Sequence, residues 1–200
     1  MCGEPNSMPI IGEEAPDFEA LTTNGMVRLS DFKGKWLVLF SHPADFTPVC
    51  TTEFMAFSAI ADELKSLNVQ LMGLSIDSVH SHLAWIRNVR EKMGVDIPFP
   101  IIADLDMNVA KKYGMIHPGQ SSTAAIRAVF FIDEKGILRA MIYYPLTAGR
   151  YMPEIVRLIK SLQTTDKYGV ATPANWQPGD KVVVPAPKNK AEMEKRLAEG

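Results

Sequence analysis

Cysteine is scarce in this chain: 200 residues carry only Cys2 and Cys50, and the two form no C-x-x-C pair. A single bridge cannot staple a chain of this length, so a disulfide scaffold is excluded. The missing C-x-x-C argues against a dithiol oxidoreductase. Long apolar runs are lacking too, and none approaches the length of a membrane span. Residues 1–7 hold no basic stretch followed by an apolar core, so no secretory signal is expected and the default compartment is the cytoplasm. Neither sign of charge prevails: 21 Lys and Arg against 23 Asp and Glu give a formal net charge of −2. That balance offers no reason to expect a nucleic-acid or anionic-membrane partner. Internal repeats and low-complexity tracts are absent.

What is present is an ordinary globular balance, 46% hydrophobic and 22% charged, enough for one sizeable core. Short strands are predicted on either side of the Thr23-Asn24-Gly25 turn. Trp36-Leu37-Val38-Leu39-Phe40 is a continuous apolar run of strand length, suited to burial on both faces. A proline-punctuated loop follows, then a predicted helix over 50–66, with Phe54, Phe57, Ala61 and Leu64 at helical spacing. Further strands are expected at 69–76, 100–103, 125–133 and 137–143, the last two joined by the Glu134-Lys135-Gly136 turn. Helices are expected at 79–93, 106–113 and 151–163, with Gly94 and Gly114 as stop signals. The order implies an α/β domain with a central mixed sheet over 1–165. Beyond residue 166, Pro173, Pro178, Pro185 and Pro187 break the chain around a short Val182-Val183-Val184 strand. Residues 166–200 therefore read as a C-terminal arm with a charged, helical end.

The chemistry concentrates where the Trp36–Phe40 strand ends, since open α/β sheets place their sites at the carboxyl ends of strands. Cys50 falls in the first turn of the next helix, where unpaired N–H groups and the helix dipole favour a thiolate. Thr47 lies three residues earlier, able to aim its hydroxyl at the sulfur or at a bound oxygen. Pro43 and Pro48 stiffen the loop.

The stretch Pro43-Ala44-Asp45-Phe46-Thr47-Pro48-Val49-Cys50 resembles the P-x-x-F-T-P-V-C signature of the peroxiredoxins. The flanking Ser41-His42 and Thr51-Thr52-Glu53 are similar to the one-cysteine subfamily with an extended C-terminal domain. Matching stretches continue at 78–85, at 99–104, at Arg127-Ala128-Val129-Phe130-Phe131-Ile132-Asp133 and at 144–150, so the likeness spans about 9–187. It implies a thioredoxin-like fold with helices flanking the sheet. It implies Cys50 as peroxidatic nucleophile, Arg127 as stabiliser of thiolate and developing charge, Thr47 as peroxide-positioning residue and Pro43 as shield. Glu53 would orient Arg127, and His42, Trp85 and Arg150 would support the site. The implied partners are a hydroperoxide, an external thiol reductant and copies of the same chain, as a homodimer or decameric ring. Some members of the subfamily carry a lipase serine before the central strand; here Lys33-Gly34-Lys35-Trp36 holds none, and lipase activity is not expected.

Plainer roles stand beside these. Cys50 could be an inert core thiol, Arg127 an ion-pair residue, Thr47 an N-cap, His42 a satisfied strand-end histidine and Trp85 a core side chain. His80 and His82 form an H-x-H pair, but residues two apart do not share a helix face and no third ligand is evident. Neither a metal nor a cofactor is expected. No cysteine follows Cys50, so a one-cysteine cycle with an outside thiol is expected, with Cys2 an incidental thiol at a loose terminus. An oligomeric holdase chaperone with a peroxide-sensing Cys50 is the alternative function.

Overall fold

A computed structural model describes residues 8–199, so the expectation for Cys2 lies outside the described residues. Two compact units divide after Met152. The first carries the sheet. Its elements are β1 (Glu19–Thr22), β2 (Gly25–Arg28), β3 (Trp36–Ser41), α1 (Pro48–Ser66), β4 (Val69–Ser75), α2 (Val79–Met93), β5 (Ile101–Ala103), α3 (Asn108–Lys112), β6 (Arg127–Ile132) and β7 (Leu138–Tyr144). A single 3-10 turn, Leu29–Phe32, follows β2.

The strands form one mixed sheet in the order β2-β1-β5-β4-β3-β6-β7. The centre is parallel, β3 with β4 and β4 with β5, while β6 runs antiparallel to β3 and β7 antiparallel to β6. All six residues of β3 and all six of β6 are buried, as their uninterrupted apolar character requires of strands covered on both faces. On one face Leu37, Leu39, Met72, Leu74, Ile102, Ala128, Phe130 and Ile132 pack with Phe18, Val109, Ala110 and Tyr113. On the other, Phe40 stacks on Phe57 of α1 with ring centroids 3.9 Å apart, and Phe54 packs against Phe40, Phe99 and Trp85. Gly73 on β4 makes this possible, because a Cβ there would stand 3.1 Å from the Phe54 ring. Helices flank the sheet, and the domain is thioredoxin-like.

The second unit holds α4, which begins at the boundary (Met152–Tyr168), and α5 (Lys190–Glu199). Within it Ser161 and Thr172 share a hydroxyl hydrogen bond of 2.7 Å, and the Trp176 indole donates to the Asp180 carbonyl at 3.2 Å. The valine triplet at 182–184 contributes one isolated bridge, Ala171 with Val183, in place of the expected strand. Pro185 and Pro187 follow it and supply no N–H donors to extend a ladder. The 151–163 helix continues to Tyr168, where Gly169, at φ 63°, adopts the left-handed conformation that ends it.

Candidate active site

The loop after β3 and the first turn of α1 place most of the expected site residues. Helix α1 starts at Pro48, two residues before the predicted boundary, which puts Cys50 in its first turn. Proline suits that place, since its missing N–H would have had no partner in the first turn. Cys50, Glu53, Phe54 and Phe57 fall at i, i+3, i+4 and i+7 on the buried stripe of the helix, so nucleophile candidate and carboxylate share one face. Thr47 holds the N-cap position with extended backbone, but its side chain does not cap. Its hydroxyl donates instead to the Ala44 carbonyl at 3.1 Å, which leaves its lone pairs as acceptors. Pro43 and Thr47 are half-buried, and Cys50 is fully buried.

Arg127 enters from the start of β6. Its Nη1 donates to Cys50 Sγ at 3.4 Å and to Glu53 Oε2 at 2.7 Å, while its Nε donates to the Leu146 carbonyl at 2.8 Å. Arg150, from the loop before α4, donates from Nε to Glu53 Oε1 at 2.8 Å and from Nη2 to Oε2 at 2.7 Å. Its backbone N–H reaches the same Oε1 at 2.9 Å. Its Nη1 ties the Ser41 and Ala128 carbonyls at 2.9 and 3.0 Å, and the guanidinium lies over Phe40 and Phe57. Burial by itself would raise the Glu53 carboxyl; the hydrogen bonds and charge of Arg150, joined by the charge of Arg127, overcome this and hold it below its ordinary value. Burial pushes the Arg150 guanidinium down, and Glu53 opposes it. Two guanidiniums and one carboxylate leave a net positive site beside the sulfur. A hydrogen bond from such a donor is stronger to a thiolate than to a thiol.

His42 and Trp85 stand together on the same face of the sheet, ring centroids 5.2 Å apart, and both pack on Phe54, the residue one turn beyond Cys50. His80 is exposed and His82 is buried, so the H-x-H pair is split. His82 joins His42 and Asp45 instead, three residues whose ligand-type atoms lie within 4.8 Å of one another. This grouping of Asp45 and His82 escaped the sequence. It depends on the first turn of α2 meeting the loop after β3, a contact between residues 37 apart with no shared motif.

A family model described as AhpC/TSA matches residues 11–141, and one described as the C-terminal domain of 1-Cys peroxiredoxin matches 161–200. The chain belongs to the peroxiredoxin family. A peroxiredoxin of Aquifex aeolicus is 60% identical, over 97% of this chain and 92% of that protein. Peroxiredoxin 2 of Caldanaerobacter subterraneus is 58% identical, over 95% and 86%. Among solved structures, a yeast mitochondrial 1-Cys peroxiredoxin matches with TM-score 0.83 and 45% identity, covering 89% of this chain and 87% of that one. A mutant of peroxiredoxin 6 from Arenicola marina matches with TM-score 0.85 and 43% identity, covering 94% and 89%. As a peroxiredoxin, the chain is a thiol-dependent peroxidase. Among the described residues, no helix is long and apolar enough to cross a membrane.

Proposed function

We propose that Cys50 is the peroxidatic nucleophile of a one-cysteine cycle that reduces hydrogen peroxide and alkyl hydroperoxides. The observation that carries this reading is the 3.4 Å contact from Arg127 Nη1 to Cys50 Sγ, with the same Nη1 braced on Glu53. The Cys50 thiolate attacks the terminal peroxide oxygen. The S–O bond forms as the O–O bond breaks, the sulfur is oxidised to a sulfenic acid, and the leaving alkoxide or hydroxide takes a proton to give alcohol or water. Arg127 faces the charge that develops on the oxygens. Thr47 uses its free lone pairs to orient the peroxide O–H, and Pro43 limits the approach of solvent. Glu53 and Arg150 act through Arg127 by fixing its position, and His42 and Trp85 wall the site.

An external thiol then condenses with the sulfenic acid, releasing water and leaving a mixed disulfide, which a second thiol reduces. Support comes from the absence of any cysteine after Cys50 and from the match of 161–200 to a one-cysteine C-terminal domain. A homo-oligomer with the C-terminal arm as a contact belongs to the same reading, and β7, as the edge strand of the sheet, offers a surface for a second copy. The test is thiol-dependent peroxide consumption by Cys50→Ser, expected to fall to background; retained turnover overturns the assignment. Mass spectrometry after a single equivalent of peroxide is expected to find Cys50 sulfenic acid. A Cys2–Cys50 disulfide in high yield overturns the one-cysteine cycle.

A further inference from the structure

His82 is a histidine with an acceptor against each ring nitrogen. Nδ1 faces the Asp45 carboxylate at 3.0 Å from Oδ1 and 2.8 Å from Oδ2, and Nε2 faces the Ile102 carbonyl at 3.1 Å. Neither partner can donate once Asp45 is ionised. A neutral imidazole has one N–H and one lone pair, so it would set a lone pair against an oxygen lone pair on one side. Two N–H groups satisfy both contacts.

His42 has the opposite arrangement. Its Nε2 lies 2.9 Å from Asp45 Oδ1, while its Nδ1 is buried and has no hydrogen-bond partner. Were His42 the charged ring, a second buried N–H would be left unmatched, which costs more than an idle lone pair. The extra proton of this trio therefore sits on His82, and His42 is the neutral Nε2–H tautomer. Burial, only partly offset by Asp45, also keeps His42 uncharged.

We propose that His82 is the charged positioning residue of this trio: its imidazolium pairs with the Asp45 carboxylate and, through Asp45, fastens the loop 42–47 that bears Pro43 and Thr47. The fastening is redundant in geometry and singular in charge. Ser81 Oγ also donates to Asp45 Oδ2 at 2.8 Å, and the Asp45 backbone N–H donates to Asp77 Oδ2 at 3.0 Å, which in turn accepts from Ser75 Oγ at 2.6 Å. These neutral donors set direction. Among the titratable groups facing Asp45, which are His42, His82 and Asp77, His82 alone supplies a positive charge. The loop needs holding, because Phe46 sits at φ 57° in the left-handed region and is 55% exposed, so its own packing does not secure it.

This positioning role rests on the peroxidase reading of Cys50, but its first test does not. Long-range proton–nitrogen NMR of histidine-labelled wild-type protein at about pH 8.5, two units above the ordinary imidazole value, reads each ring directly. The expected result is a single ring with both nitrogens protonated, lost in His82→Asn, and, among the rings with a bare Nδ1, one that is lost in His42→Gln. A neutral His82, or a His82 lacking its Nδ1 proton because a metal occupies the trio, overturns the proposal. The second test is the rate of Cys50 oxidation against pH for wild type and His82→Asn. The amide keeps a donor near Asp45 and removes the charge, so Asp45 takes up a proton at higher pH. The variant's rate relative to wild type is expected to fall toward acid, by about tenfold per pH unit once the carboxyl titrates, and to recover toward alkali. A ratio constant with pH marks a purely structural role and overturns the positioning claim even if the NMR result stands.

Discussion

Arg150 grips both carboxylate oxygens of Glu53, Nε on Oε1 at 2.8 Å and Nη2 on Oε2 at 2.7 Å, with neither side chain more than 3% exposed. That fork leaves Oε2 also accepting from Arg127 at 2.7 Å, so the guanidinium beside Cys50 is positioned by a carboxylate that is itself immobilised. Glu53 is the hinge of the electrostatics: without its charge, two buried cations face each other.

Glu53→Gln is therefore expected to destabilise the fold by about 3 kcal/mol, the low end for breaking a buried pair, because the amide retains an acceptor oxygen. Urea denaturation measures this. The rate of Cys50 oxidation should fall in parallel, and a variant of wild-type stability and rate would show that the two arginines need no common anchor.

Arg127→Ala is expected to slow oxidation of Cys50 by hydrogen peroxide by about 10²–10³-fold, the cost of removing one donor aimed at developing charge. Arg127→Lys should recover little, because an ammonium cannot serve the sulfur, Glu53 and the Leu146 carbonyl with a planar fork. Stopped-flow measurement under single-turnover conditions checks both variants; a lysine enzyme as fast as wild type would count against the geometric role.

Stability should fall on mild acidification. Burial holds the His42 imidazole below its ordinary value, with Asp45 opposing. The folded chain then binds fewer protons than the unfolded chain in that window. The stabilisation from His42 is complete above about pH 6.5 and is lost as the pH drops through the folded value. Burial would raise Asp45, but the hydrogen bonds from His42 and His82, with the charge on His82, hold it well below the carboxylate range. Its contribution is complete above about pH 4 and is lost only in stronger acid. Urea midpoints should decline as the pH is lowered from about 6.5 toward 4. His42→Gln, which keeps a donor toward Asp45, should flatten that decline.

Gly73→Ala should cost about 1–3 kcal/mol through overpacking, since the added methyl would meet the Phe54 ring at 3.1 Å and the Phe40 ring at 3.4 Å. Thermal melting reads the loss. An unchanged melting temperature would mean that Phe54 can retreat without disturbing the turn of α1 that carries Cys50.

Much of this protein is legible along the chain. The uninterrupted apolar run of β3, the period of α1 and the loop motif ending in Cys50 are local signals. Each follows from chain periodicity or from the backbone limits set by proline and glycine. Thr47 and Cys50 need only one turn of helix to be brought together. Boundaries were less legible: α1 starts at Pro48, and the valine triplet makes a single bridge, because pairing depends on what lies opposite.

Long-range partnerships were decided only by tertiary structure. Arg127 meets Glu53 across 74 residues and Arg150 meets it across 97, and no periodicity in sequence records which carboxylate will neutralise which guanidinium. Asp45 and His82 are the clearest instance. One lies inside the legible motif and the other belongs to an H-x-H pair that nothing local marks, yet the two side chains meet in the interior at 2.8 Å. The sequence by itself determined the loop, the helix turn that carries Cys50 and the sheet that presents them, since these depend on neighbours in the chain. The tertiary structure alone determined the charge balance around Cys50, because burial makes every unpaired charge costly and the partner that relieves it is chosen by proximity in space.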